Sequence, residues 1–423
     1  MKRVIKANQR TTLHMVMAAF AFLCLIGNAA ATTWIVDDNG GPGIDFTDIG
    51  SAVSAATPGD LIVVRNGMYA SFNLDKGLTI TADTGHAPVV ISTTNVYHIP
   101  VDATAVLTGL SLHQLFVFDS WGNVIIDDCD CIHWGNIPSL KAEQCSLLRV
   151  SRCRFEKTGL GSLLCAAILR DTAAIISESS FVGGNGQDSY DDYGFDGGCG
   201  IFAQDATLYL QAVSAQGGNG GWAYGEEYAN GGDGGEGLWL SKCDVHLFGM
   251  EENRIEGGQG GGSYYGTSGR DASAVLCRDA SVAYSGIFLE SHGEPDFDID
   301  PDHPSMVAHV SPDVPIVTLG GTGQLGGFIE PVLHGQAGSS FALFYSHKNA
   351  MHPLGSRYTD LLLDPLYLFF FAAGVIPAGD PPGYPIHIPL VPDYMGFPFQ
   401  LQAHVVTGGG QYYLSTSAGF VLR

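Results

Sequence analysis

The chain has 423 residues, a formal net charge of −24 at pH 7, 57 glycines and 9 cysteines. A chain this acidic repels nucleic acid and anionic lipid, so neither is expected as a partner. Its length is too great for one simple core and points to two domains.

The N-terminus reads Met-Lys-Arg, then runs apolar from Met15 to Ile26, then offers the small residues Ala29, Ala30 and Ala31. This is the pattern of a secretory signal peptide over residues 1–31, too short to span a membrane. Leu23 before Cys24 argues against a lipoprotein site. The later apolar run from Leu366 to Ile376 is bounded by Pro365 and Pro377, so no membrane span is expected. Cleavage predicts an exported chain, extracellular or at the cell surface, that keeps eight cysteines. Disulfides are permitted there, but spacing alone fixes no pairing.

Residues 33–36 read as a first strand. From Asp45 to Ala56 the residues Phe46, Ile49, Val53 and Ala56 share one helical face, with Thr47 as N-cap and Pro58-Gly59 as stop. Short strands follow at 61–64, 72–74 and 78–80, separated by turns at Asn66-Gly67 and Lys76-Gly77. The stretch from Trp34 to Ile49, then Pro58 to Tyr69 with its Gly67-Met68-Tyr69 turn, resembles the opening of right-handed parallel β-helix proteins of the pectin-lyase-like superfamily. The resemblance implies that the short helix caps the first coil. Gly50 departs from it, standing where relatives often carry Gln.

One six-residue phrase recurs at 126–131, 150–155, 176–181, 210–215 and 250–255, its starts 24, 26, 34 and 40 residues apart. Positions one and six are apolar or small throughout, the signature of a solenoid whose coils complete one another's core. Cys129 and Cys153 fall in its inward column, as buried thiols do. A second phrase recurs at 201–205, 238–242 and 275–279, 37 residues apart. Between the phrases lie inserts opening Gly183-Gly184-Asn185, Gly217-Gly218-Asn219 and Gly257-Gly258-Gln259. Glycine allows positive φ and close backbone approach, so these inserts are expected to stack.

Residues 292–304 are acidic and proline-rich, an exit loop. Beyond them the apolar rhythm changes to that of a β-sandwich. Its ending, Leu401 to Val406, a glycine turn, then Leu414, Ser415 and Ala418, resembles a C-terminal module of many secreted bacterial proteins. The expected fold is all-β: a signal peptide (1–31), a right-handed parallel β-helix with an N-terminal capping helix (32–305), and a small C-terminal β-sandwich (306–423).

The inserts carry the first candidates. Asp191 and Asp192 align with Glu226 and Glu227 one coil on, predicting the most negative patch of the helix and making it the candidate calcium site, since calcium takes six to eight oxygens. The bland alternative is a hydrated loop, and no EF-hand loop is present. Tyr190, Tyr193, Trp222, Tyr224 and Tyr228 are the ligand-binding candidates, with Phe195, Tyr264 and Tyr265 beside them. They either offer a flat face to sugar rings or pack over glycine backbone. Inserts on a rigid scaffold commonly carry function.

Repeat alignment also sets Asp128, Arg152, Glu178, Ala212 and Glu252 in one column, and Asp130, Arg154 and Arg254 in another. The resemblance implies a basic side chain as proton acceptor in β-helix lyases, which makes Arg149, Arg152 and Arg154 weak catalytic candidates. Cross-strand pairing of Asp128 with Arg152 and Asp130 with Arg154 is the structural alternative. Pectinesterase and polygalacturonase motif sets are missing from the sequence, as are nucleophile and nucleotide-binding motifs. The first expectation is a secreted surface protein binding carbohydrate or another extracellular polymer. A polysaccharide lyase or hydrolase and a structural or adhesive exoprotein are the alternatives, and fold alone does not choose.

Overall fold

The structure, a computed structural model, describes residues 31–83, 88–158, 165–190, 193–225, 229–250, 252–310, 314–321, 323–352, 360–379, 383–391 and 394–423. The signal-peptide segment before residue 31 lies outside them, as do Asp191, Asp192, Glu226, Glu227 and Tyr228.

From Thr33–Val36 to Met306–His309, 25 strands join in one parallel ladder system, a right-handed parallel β-helix. Each coil has three faces. The first face holds Ala173–Ser177, Thr207–Gln211 and Asp244–Phe248; the second holds Arg154–Lys157, Ser180–Val182 and Ser214–Gln216; the third holds Ala167–Arg170, Ile201–Gln204 and Leu238–Ser241. Met306–His309 pairs with Ser281–Ser285 on the first face, so the parallel ladder runs past residue 305. Inside, side chains stack coil on coil: Ile126, Val150, Ile176, Leu210 and Leu247 form one fully buried column. The Phe155 and Phe181 rings stack at 5.1 Å.

The recurring phrase crosses from the first face to the second through a single residue of positive φ: Asp128 (49°), Arg152 (53°), Glu178 (48°) and Ala212 (53°). The corner into the first face repeats the device at Asp171 and at Asp205, Lys242 and Asp279, the last three being the polar ends of the second phrase. Short polar residues tolerate this region best. The fifth copy slips. Leu210 pairs with Leu247, so Gly249 follows in the corner column, and Met250 and Glu252 belong to an extra turn closed by Asn253 N–H on the Met250 carbonyl. Glu252 is therefore not in the column expected for it.

The capping helix is Ile49–Ala55, burying Ile49, Ala52 and Val53. Its N-cap is Asp48 rather than Thr47: the Asp48 carboxylate accepts from Ser51 N–H at 2.7 Å. A carboxylate is the stronger acceptor at a helix N-terminus.

The C-terminal region folds as two facing antiparallel sheets. Ile316–Gly321, Phe328–His334 and Ile386–His387 form one; Phe369–Val375, Ser340–Ser346, Pro398–Val406 and Tyr412–Val421 form the other. Val317, Ile329 and Leu333 meet Phe341, Leu401 and Phe420 between them. The second sheet's outer side lies on the first face of the helix. Val421 of that sheet packs with Val106 and Ile125, and Leu362, on the short strand Leu361–Leu363 beside it, packs with Leu147, Ile175 and Tyr209. Polar contacts cross the same seam: Ser417 N–H donates to Gln211 Oε1 at 2.8 Å and Val421 N–H to Asp127 Oδ2 at 2.9 Å. First-face strands are thus covered on both sides, which is why several read as unbroken apolar runs while second-face strands alternate.

The inserts build a second kind of stack. Each runs out and back, and backbone bonds join neighbouring inserts at every third residue. Gly183, Gly186 and Ser189 donate to the carbonyls of Gln216, Asn219 and Trp222; Gly217, Gly220 and Ala223 donate to Glu256, Gln259 and Gly262. The returning limbs do likewise, with Gly194 and Gly197 donating to Asn230 and Asp233. A second glycine in each triplet bonds across the layers, as Gly221 to Phe195, Gly232 to Gly221 and Gly261 to Gly232. Three residues per turn is the period of a polyproline-II-type helix. No described glycine of the inserts has positive φ. Glycine is required here for closeness instead: a Cβ on Gly186 would stand 1.8 Å from the Phe195 carbonyl oxygen.

The third residue of the triplet is capped by a side chain one coil below. Asn219 N–H donates to Asn185 Oδ1 (2.9 Å), and Gln259 N–H to Asn219 Oδ1 (2.8 Å). On the returning limbs Asp233 N–H donates to Asp196 Oδ1 (2.8 Å), and Arg270 N–H to Asp233 Oδ1 (2.7 Å). The Gly-Gly-Asn/Asp pattern is therefore a complete hydrogen-bonding unit. A disulfide, Cys165–Cys199, joins adjacent coils at the base of the first insert, while Cys129, Cys131, Cys145, Cys153, Cys243 and Cys277 are buried thiols.

Candidate functional site

The outgoing limbs of the inserts run in step. Isolated parallel bridges join Ser189 to Ala223 and Ala223 to Ser263, so the residues after them, Tyr190, Tyr224 and Tyr264, form one column. The Tyr190 and Tyr224 rings stack at 5.2 Å, and Tyr224 and Tyr264 sit 6.1 Å apart, tilted. Trp222 flanks Tyr224 at 6.2 Å and lies on Gly262, where a Cβ would meet its ring at 2.6 Å. Tyr265 extends the row. Much of this surface stays open: Tyr190 is 79% exposed, Tyr264 and Tyr265 70%, and Trp222 48%. Tyr193, 60% exposed, and Phe195 belong to the returning limb. Trp222 thus packs over glycine, while the tyrosines present edges, hydroxyls and outer ring faces to solvent. Asp188 caps Trp222 N–H at 2.8 Å and stands beside Tyr224. Burial against its neighbours, then the Asp188 charge, pushes the Tyr224 phenol up.

The arginine candidates occupy three different environments. Arg149 is 2% exposed, beneath the last strand at Gly419. Arg152 reaches Asp127, not Asp128, through a paired contact at 2.6 and 3.2 Å. Asp128 instead pairs with Arg423. Side chains of positive-φ residues leave the ladder direction, so column neighbours do not meet. Arg154 and Asp130 pair across the second face at 3.2 Å, exposed.

Arg152 and Arg154 do share one feature. Together with Glu178, Glu252, Thr318 and His334 they line a groove of about 790 Å³ between the helix corner and the first sandwich sheet. Burial pushes the Glu178 carboxyl up to about 7, against the Arg152 charge and a Leu319 N–H that hold it down. Burial holds the His334 imidazole below its usual range, and its Nε2 lies 3.1 Å from Thr318 Oγ1. Sequence reasoning singled out neither residue as chemistry-bearing, because the groove forms only when the sandwich docks.

Among the described residues, one His–carboxylate group is close enough to share an ion: Glu256, Glu290 and His292, with ligand atoms within 4.8 Å. Arg254 already pairs with both carboxylates. The tip carboxylates expected to bind calcium lie outside the described residues. No described helix is long and apolar enough to cross a membrane.

No family model matches the chain, and no curated protein matches it. Two solved structures are similar: full-length tailspike protein 2 from an Escherichia coli O157:H7 bacteriophage, and the enzymatically active domain of a bacteriophage tailspike protein 2. Each is 10% identical over 93% of this chain, covering 68% and 76% of the tailspike chains, with TM-scores of 0.23 and 0.24. At those scores the likeness carries no argument about function.

Proposed function

We propose that this is an exported surface protein that binds a polysaccharide or similar extracellular polymer through the aromatic row at the insert tips. One observation carries the reading: three tyrosines are exposed in one register column, with a tryptophan beside them, on a backbone-bonded platform. Exposed aromatic clusters mark interaction sites, and holding them rigid removes the ordering cost of binding. A disulfide at the platform's base is in keeping with export. The test is calorimetry of the full chain against a polysaccharide panel. Binding weakened about tenfold or more in a Tyr190→Ala/Tyr224→Ala double variant is expected, given stacking contributions of about 1 kcal/mol per ring. Unchanged binding in that variant, or none in the parent, sinks the proposal.

The groove favours a second reading, a polysaccharide hydrolase. A carboxyl with a pKa of about 7 is half protonated near neutrality and suits a general acid. Release of reducing ends, abolished in Glu178→Gln, is the expected signature. Stability gives a check independent of substrate. The Glu178 pKa is raised from 4.5 to about 7, so its contribution is complete below pH 4.5 and is lost as pH rises through 7. Glu178→Gln should therefore flatten the fall in Tm between pH 5 and 8. An identical pH slope in parent and variant would remove the basis for this reading.

A further inference from the structure

Resting on the binding role proposed for the tip, we infer that its ligand is cationic: a polymer of unacetylated amino sugars, whose ammonium groups sit against the tyrosine and tryptophan rings beside Asp188.

The argument starts from charge. No lysine or arginine lies between Arg170 and Lys242, a stretch that contains two of the three inserts and the carboxylates Asp188, Asp196, Asp233 and Glu236. The third insert supplies one basic residue, Arg270. That guanidinium is held by Asp233 at 2.8 and 3.1 Å, so it offers no free cation to a ligand. A polyuronate or other anionic chain approaching this tip meets repulsion without local compensation. A neutral sugar gains nothing from the field. An ammonium group gains twice, from the carboxylate and from the outer ring faces that the stack leaves open, as at Tyr190 and Tyr264.

Geometry favours a sugar polymer over a basic peptide. Tyr190, Tyr224 and Tyr264 repeat at 5.2 and 6.1 Å, set by the coil repeat beneath them. The platform is fixed by backbone bonds and by caps from Asn185, Asn219 and Asp188. A rigid periodic row suits a stiff repeating chain that lays its hydroxyls along the tyrosine edges and phenol groups and brings a cation at each step. A flexible basic peptide brings the cation alone and must be ordered on binding.

The experiment is calorimetry of the full chain, at low and physiological salt, with five probes: glucosamine oligomers, N-acetylglucosamine oligomers, cello-oligosaccharides, oligogalacturonate and oligolysine. The expected result is that glucosamine oligomers bind best and weaken with salt. Asp188→Asn keeps an acceptor for Trp222 N–H and removes the charge. It should weaken that binding about threefold, the scale of one exposed cation–π or ion contact. Tyr224→Ala should weaken it about fivefold, the scale of about 1 kcal/mol for one ring. Equal binding of the acetylated or neutral oligomers overturns the inference and leaves the general binding role standing. Preference for oligogalacturonate does the same. Oligolysine binding as strong as the amino sugar's, and insensitive to Tyr224→Ala, overturns it as mere charge. No sugar binding at all sinks both.

Discussion

The molecule stacks its coils in two ways at one spacing. In the helix, apolar side chains fill the interior: Ile126, Val150, Ile176, Leu210 and Leu247 contribute burial, and the backbone bonds run between β-strands. In the inserts the interior has no side chains. Segments approach until a Cβ would stand about 2 Å from a facing carbonyl, and cohesion comes from backbone bonds with Asn and Asp caps. Burial is non-directional and tolerates Cys131, Phe155, Phe181 and Ala215 in one column. A hydrogen-bonded sheaf tolerates almost nothing but glycine at its contacts. The first suits a scaffold. The second makes a thin, stiff arm for a tip.

The contrast predicts different failures. Phe181 is fully buried and stacked on Phe155. Phe181→Ala should cost about 3–5 kcal/mol and lower the Tm of the whole helix. A loss confined to one coil would show that the coils do not fold together. Next comes the staple between the two constructions. Its 34-residue loop predicts that Cys165→Ala with Cys199→Ala costs about 2–4 kcal/mol in denaturant unfolding. A variant as stable as the parent would leave the disulfide without a stabilising part.

Gly220→Ala probes the sheaf itself. Its Cβ would lie 1.9 Å from the Gly232 carbonyl oxygen. The expected cost is about 1–3 kcal/mol, as for overpacking, but local. Amide exchange should accelerate in the inserts and stay slow at Ile176 and Leu210. Gly408, whose Cβ would meet nothing within 4 Å, is the control. Equal effects at the two glycines would mean that closeness is not what glycine supplies here.

Much of the scaffold was legible in the sequence. The register of Ile201, Leu238 and Val275 is the one their phrases imply, and four of the five longer phrases align at their first residue. The fifth fails there because three extra residues enter after Gly249, and equal spacing of apolar residues hides an insertion. The partner of the first face was not legible. Asp127 meets Val421 across 294 residues of chain, and no local pattern announces such a contact. The sequence marks Leu61–Val64 only as a short strand; its unbroken apolar run reflects burial on both sides. In the inserts the triplet period was present. Of the two properties expected of glycine there, close backbone approach is the one the stacked inserts use, and positive φ is not. The tip column was legible because Tyr190 and Tyr224 share the 34-residue offset of their coils.

The smallest expected effect discriminates most finely between the two constructions. Asn219 is exposed and touches no core, so a side-chain view assigns it nothing. Yet its Oδ1 accepts from Gln259 N–H at 2.8 Å, while its own N–H donates to Asn185 Oδ1. Asn219→Ala removes one acceptor and leaves a solvent-facing N–H that water re-satisfies, so the net loss is about 0.5–1 kcal/mol. That loss should appear as roughly two- to fivefold faster exchange at the Gln259 amide, with the layer-crossing Gly261 amide less affected. Asn219→Asp retains the acceptor and should restore protection. If the alanine variant exchanges like the parent, the caps are incidental and glycine backbone bonding alone holds the arm. If the aspartate fails to rescue, the asparagine acts through its amide nitrogen, and the triplet unit needs a different third member.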